Sequence, residues 1–205
     1  MENNSTSYPT SVYAEMTPNP ATLKFVSNRL LIENHAVTEF FSKTEAKGYS
    51  ALAEQLFDFP FVKSVFIAAN FVTVTKNDSI GWDFITMELR EFISEFLRRN
   101  EFAVTIVPPA KKPEKKEESV IAETLTELSD IDKQIIELLD EYVRPAVERD
   151  GGAIHFRSFN EGTVSVILKG SCSGCPSSQA TLKQGIEILL KKMVPEVTEV
   201  IAVEG

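Results

Sequence analysis

The chain has 205 residues, 43% of them hydrophobic and 14 of them Phe, enough for one large core or two small ones. Thirty acidic against 21 basic residues give a net charge of -9, a field that repels phosphate backbones and argues against a nucleic-acid partner. No apolar run approaches the roughly 20 residues that cross a bilayer, so no membrane partner is expected.

The opening MENNSTSYPTSVYAEM has neither the basic start and apolar stretch of a secretory signal nor the arginines of a transit peptide. Residues 1–15 therefore read as a flexible extension of a cytoplasmic protein. Residues 16–107 read as an α+β domain. TLKFV and NRLLI suggest two strands or one bent strand, and SALAEQLFDF a short helix. KSVFIAA and NFVTVTK are β-branched and aromatic, with Asn70 between them suited to a hairpin turn. Ile85, Leu89, Phe92, Ile93 and Phe96 fall on one face of a helix, and FAVTIV reads as a final strand. The domain is expected to be a sheet covered by helices on one side.

Residues 108–119, PPAKKPEKKEES, hold three Pro, four Lys and three Glu without a large apolar side chain, the composition of a flexible charged linker. Residues 120–205 form the second small domain. VIAETLTEL suggests a short leading helix. Ser129 is a good N-cap for a helix with the stripe Ile131, Ile135, Leu138 and Tyr142, ending near Pro145. Asp150-Gly151-Gly152 supplies a turn. AIHFRSF and TVSVILK alternate as two strands joined at Glu161-Gly162. A helix carrying Leu182, Ile186, Leu189, Leu190 and Met193 follows, and VTEVIAV closes the sheet.

Cys172 and Cys175 are the only cysteines, set in GSCSGCPSS between the second strand and that helix. Pro176 suits the first helical turn, so both thiols lie beside a helix N-terminus that favours thiolate. Two exposed, ionised thiols are expected there, at a surface where substitution leaves the fold intact. A disulfide between them closes too short a loop to brace the fold. Zinc and iron–sulfur clusters both want four ligands, whereas the chain offers two sulfurs and two histidines. His35 and His155 read as ordinary exposed histidines. Two C-x-x-C loops meeting at a two-fold axis would supply four sulfurs for one shared cluster. A thioredoxin-like redox pair needs a βαβ unit ahead of the motif and commonly an aromatic before the first Cys. Here a hairpin and Ser171 stand in those places. Cluster, redox pair and zinc clip all stay open on the residues alone.

IIELLDEYVRPAVERDGGAIHF followed by GSCSGCPSSQATLKQGIEILLKKMVPEV resembles the C-terminal domain of NifU-type (Nfu) iron–sulfur proteins. TPNPATLKF with FVTVTK resembles the N-terminal domain of their two-domain form. The resemblance spans about residues 16–107 and 128–204. It departs at Ala153, where an acidic residue is frequent, and at Ala68-Ala69-Asn70, where a glycine and an acidic residue are more usual. It implies a non-enzymatic scaffold or carrier that binds a [4Fe–4S] cluster through Cys172 and Cys175 of each subunit of a homodimer. Such a protein takes clusters from an upstream scaffold and delivers them to apo iron–sulfur clients. The alternatives are a dithiol–disulfide oxidoreductase or a zinc-binding adaptor. The cysteine-free first domain is expected to hold clients while the linker lets the second present the cluster.

Overall fold

The computed structural model describes residues 8–33, 36–108, 129–173 and 176–204. Most of the linker, the VIAETLTEL segment, His35 and Cys175 lie outside them. The described residues form two sheets, each with its own core, in an α+β arrangement.

The first sheet contains β1 (Val12–Met16), β2 (Thr22–Ser27), β3 (Val37–Phe40), β4 (Val62–Ala68) and β5 (Phe71–Lys76). Its order is β1-β2-β5-β4-β3, with every neighbouring pair antiparallel. β4 and β5 form the expected hairpin, turning at Ala69 and Asn70. Ala69 adopts φ 38°, a region an L-residue enters at a cost and glycine enters freely. Asn70 Nδ2 donates to Ser27 O at 3.0 Å, tying the turn to β2.

Three expectations change. Residues 12–15, read as part of a flexible extension, form most of edge strand β1, whose Val12 and Ala14 pack against the core. NRLLI is not a strand. Leu31 and Ile32 are fully buried in an irregular segment where Leu31 N–H bonds Ala69 O and Leu31 O accepts from Ala103 N–H. FAVTIV is not a strand either. Ala103 and Val104 are buried, but successive N–H groups converge on two single carbonyls, Leu31 O and Tyr49 O, where a ladder would be needed. In these last two segments buried apolar side chains mimic a strand pattern without a neighbouring strand to pair with.

Helices α1 (Lys43–Ala46), α2 (Ala51–Leu56) and α3 (Trp82–Arg99) cover one face of this sheet. Ser42 and Ser50 cap α1 and α2 by accepting from Glu45 and Ala53 N–H. α3 buries Ile85, Leu89, Ile93 and Phe96 as its spacing predicts, while half-buried Phe92 meets Phe59 edge-on at 5.3 Å. Its C-terminal carbonyls are gathered by the Arg29 guanidinium, which donates to Leu97 O, Asn100 O and Glu101 O. Strand alternation gives Leu23, Phe25, Val65, Ile67, Val72 and Val74 to this helix-covered core. Lys24, Val26, Glu39, Phe66, Phe71 and Thr73 point to the other face.

The second unit begins with α4 (Asp130–Leu138), opened by a full capping box between Ser129 and Asp132. The helix passes through a π turn (Leu139–Val143) into α5 (Arg144–Arg149), where Pro145 occupies the first turn. The π turn inserts one residue into the helical phase. The expected stripe is thereby corrected after Leu138: Leu139, Val143 and Val147 are buried, and Tyr142 is exposed. β6 (Gly152–Asn160) and β7 (Thr163–Gly170) form an antiparallel hairpin through Glu161 and Gly162, both at positive φ. α6 (Pro176–Met193) crosses over to β8 (Glu199–Glu204), which joins β7 in parallel. The sequence order of helix, two strands, helix and strand is the order observed.

The units touch. The second face of the first sheet meets the Asp150–Gly152 turn and the end of β7. Val26, Phe66, Ala68 and Phe71 share a small apolar cluster with Ala153. Thr73 Oγ1 donates to Gly151 O at 2.7 Å, Lys24 Nζ to Arg149 O at 3.2 Å, and Asn19 Nδ2 to Ser171 O at 3.1 Å. Gly170 N–H donates to Glu39 Oε2 at 3.2 Å.

Candidate functional site

β7 ends at Gly170, whose φ of 69° turns the chain off the sheet. Ser171 N–H then bonds Gly151 O at 3.2 Å, and the Ser171 hydroxyl donates to Asp150 O. Ser173 bonds Gly170 O twice, through its N–H at 3.1 Å and its hydroxyl at 2.8 Å. These bonds fold Gly170–Ser173 into a tight turn laid along the Asp150–Gly152 turn. The next described residue, Pro176, starts α6 as its position after the cysteines predicts.

Cys172 is held by this turn at the end of the second core, beside Ile154, Leu168 and Val147. It is 7% exposed, so the expectation of an exposed, ionised thiol does not hold for it. Burial pushes the Cys172 thiol up; the Ser171 hydroxyl, 3.8 Å away, pulls the other way, and the Asp150 charge adds to the rise. Ser171 bonds the opposite loop and Ser173 closes the turn on Gly170, and between them the Cys172 side chain is tucked inward.

Glycine at 152 makes that placement sterically feasible. A Cβ there would stand 2.6 Å from Lys169 O and 2.8 Å from Cys172 Sγ, inside any tolerable contact. A cavity of about 400 Å³ opens beside the sulfur, lined by Pro18, Ala146, Asp150, Cys172, Thr181 and Leu182 among others. One wall thus comes from the segment before β2, two from α5 and α6, and one from the cysteine turn. A soft thiol donor on the wall of a cavity at a helix start fits a metal or metal–sulfur cargo, and the described residues group no third His, Cys, Asp or Glu with it.

His155 is half-buried on β6, where it was expected to be exposed. Burial lowers its pKa first, Lys169 and Arg144 lower it further, and Asp140 opposes them. The net effect favours the neutral imidazole. Sequence reasoning missed Asn19. Thr17-Pro18-Asn19-Pro20 reads as a stiff lead into a strand, yet Asn19 is 6% exposed and reaches the backbone next to Cys172. A polar residue pinned between two prolines was the available signal.

Residues 135–201 match the family described as NifU-like domain, and residues 12–100 match Scaffold protein Nfu/NifU N terminal. The human protein named NFU1 iron-sulfur cluster scaffold homolog, mitochondrial, is 35% identical over 187 residues, covering 91% of this chain and 69% of that protein. A NifU-like protein of Schizosaccharomyces pombe is 33% identical over 198 residues, covering 94% and 72%. A NifU-like protein of Saccharomyces cerevisiae, solved in solution, is 24% identical with a TM-score of 0.42, covering 51% of this chain and 90% of that one.

Proposed function

For a chain that belongs to the Nfu/NifU iron–sulfur scaffold family, we propose the family's work: binding an iron–sulfur cluster and handing it to apo-proteins, without catalysis of its own. In this reading Cys172 and Cys175 of two subunits hold one [4Fe–4S] cluster as cargo, four thiolates in all. The observation that carries it is Cys172 on the wall of a cavity at the head of α6, with Gly152 leaving room for its sulfur. An upstream scaffold supplies the cluster, and client thiolates take it by displacing these ligands one for one. The chain is read as two domains joined by the 108–119 linker: the first runs to residue 107 and includes β1 from Val12, and the second spans 120–205. We place the chain in the cytoplasm as part of this proposal; relatives named mitochondrial carry that address as their own.

A dithiol–disulfide oxidoreductase fits less well. A thioredoxin-like centre needs a βαβ unit ahead of the motif, and the antiparallel β6–β7 hairpin stands there. Anaerobic incubation with iron and sulfide tests the proposal. The expected product is a brown dimer with about four irons per dimer, by four-thiolate ligation. Cys172→Ala and Cys175→Ala should each abolish the visible absorbance. A colourless monomer holding zinc, or turnover in thiol exchange without iron uptake, would overturn it.

A further inference from the structure

The helix-free face of the five-stranded sheet is not open to solvent across its centre. It lies against the turn that carries Cys172, and the manner of contact is specific. Among the described residues, Asn19, Lys24, Glu39 and Thr73 each reach a backbone atom of the second unit: Ser171 O, Arg149 O, Gly170 N–H and Gly151 O. In these four bonds the first unit supplies the side chain and the second the backbone. Such a surface reads the path of a loop, not its side chains.

The loop is shaped to be read this way. At Gly151 a Cβ would stand 2.9 Å from Thr73 Oγ1, and at Gly170 one would stand 2.9 Å from Phe66 Cδ1. Both glycines also hold positive φ, 82° and 69°. Gly151 O accepts from Thr73 and from Ser171 N–H together, so the bond across the interface and the bond that forms the cysteine turn share one atom. Asn19 is braced at its other end, its Oδ1 accepting from Ala21 N–H at 3.0 Å.

We propose that this sheet face is a docking surface for the cysteine loop of its own chain, keeping the empty protein closed. A cluster shared between subunits needs a partner's sulfurs to come within bonding distance of the same irons as Cys172. In the docked arrangement Pro18 forms part of the cavity wall at that sulfur, and Asn19 holds the adjacent carbonyl. Loading by a second copy therefore requires the first unit to let go. The docking itself depends only on contacts within one chain; its consequence for loading rests on the proposed cluster-binding function.

The test uses the full-length, metal-free chain carrying Cys175→Ser, so that Cys172 is the one reactive thiol. Asn19→Ala and Thr73→Ala should each speed Cys172 alkylation and Ser171 amide exchange by about five- to tenfold, the effect of losing one buried neutral hydrogen bond. Thr73→Ser, which keeps the hydroxyl, should restore the slow rates. Amide protection of Val72 and Val74, on the helix-covered face, should not move. Unchanged alkylation and exchange in both variants would overturn the docking. Faster rates accompanied by lost protection at Val72 and Val74 would also count against it, because the sheet itself would have loosened. With both cysteines present, Asn19→Ala should take up iron and sulfide faster than the parent. Closure seen in a chain that takes no cluster at all would sink the proposed function and leave the docking standing.

Discussion

Cys172 shows how a site residue can be plain in the sequence while its surroundings are not. The spacing C-x-x-C before a proline marks the thiols and the helix they precede. It does not reveal that Gly152, twenty positions earlier in the chain, leaves the gap into which the sulfur folds. Nor does strand alternation disclose Asn19, because nothing in a local pattern says what a proline-flanked amide will meet. The buried setting changes what substitution at Cys172 should do. Replacing the thiol with Ala removes one polarizable atom from a core shared with Ile154 and Leu168, at a cost of about 1 kcal/mol. Replacing it with Ser leaves a hydroxyl in the same place, facing an apolar cluster, at a cost of about 1–3 kcal/mol. Denaturant midpoints should thus fall in the order Cys, Ala, Ser, with all three chains folded. A Ser variant as stable as the parent would mean that the side chain swings out to water.

The helices α4 and α5 and the π turn between them make the same point for an element. Sequence periodicity finds the helix, its Ser129 cap and its burial up to Leu138, because those follow from local spacing and side-chain chemistry. The β4–β5 and β6–β7 hairpins are legible for the same reason, each having a short turn between alternating runs. What periodicity cannot anticipate is a phase slip. Pro145 has no N–H to give and Arg144 N–H bonds Leu139 O, five residues back, so the stripe advances by one residue. The buried positions become Leu139 and Val143. Leu139→Ala should cost about 2–5 kcal/mol, as a large-to-small change in a core does. Tyr142→Ala, on the side a regular helix would have buried, should stay within about 0.5 kcal/mol. Urea unfolding of the two variants decides it, and equal losses would mean that the helix keeps a regular phase in solution. The missed segments at Leu31 and Ala103 fail for a related reason. Their burial is real, but strand pairing depends on distant neighbours that no local window contains.

For the molecule as a whole, the question is whether the two cores behave as one body. The linker composition allows independent motion, whereas the sheet face and the cysteine loop supply an apolar cluster and four hydrogen bonds that oppose it. Gly151 and Gly48 allow a controlled comparison. They have nearly the same backbone conformation, φ 82° and 83°, so an added methyl meets a similar intrinsic penalty of about 1 kcal/mol at either site. Their surroundings differ completely. A Cβ at Gly48 has nothing within 4 Å, while one at Gly151 lies 2.9 Å from Thr73 Oγ1 and 3.3 Å from Thr17 Cγ2, both in the other unit. Gly48→Ala should therefore lower the stability of the first core slightly and leave the units tumbling together. Gly151→Ala should drive Thr73 off the loop and separate them. Nuclear-spin relaxation reads this directly, as one shared rotational correlation time in the parent and in Gly48→Ala, and two shorter ones in Gly151→Ala. A single long correlation time in all three proteins would show that the interface tolerates the added methyl, and that its hold on the loop does not depend on glycine.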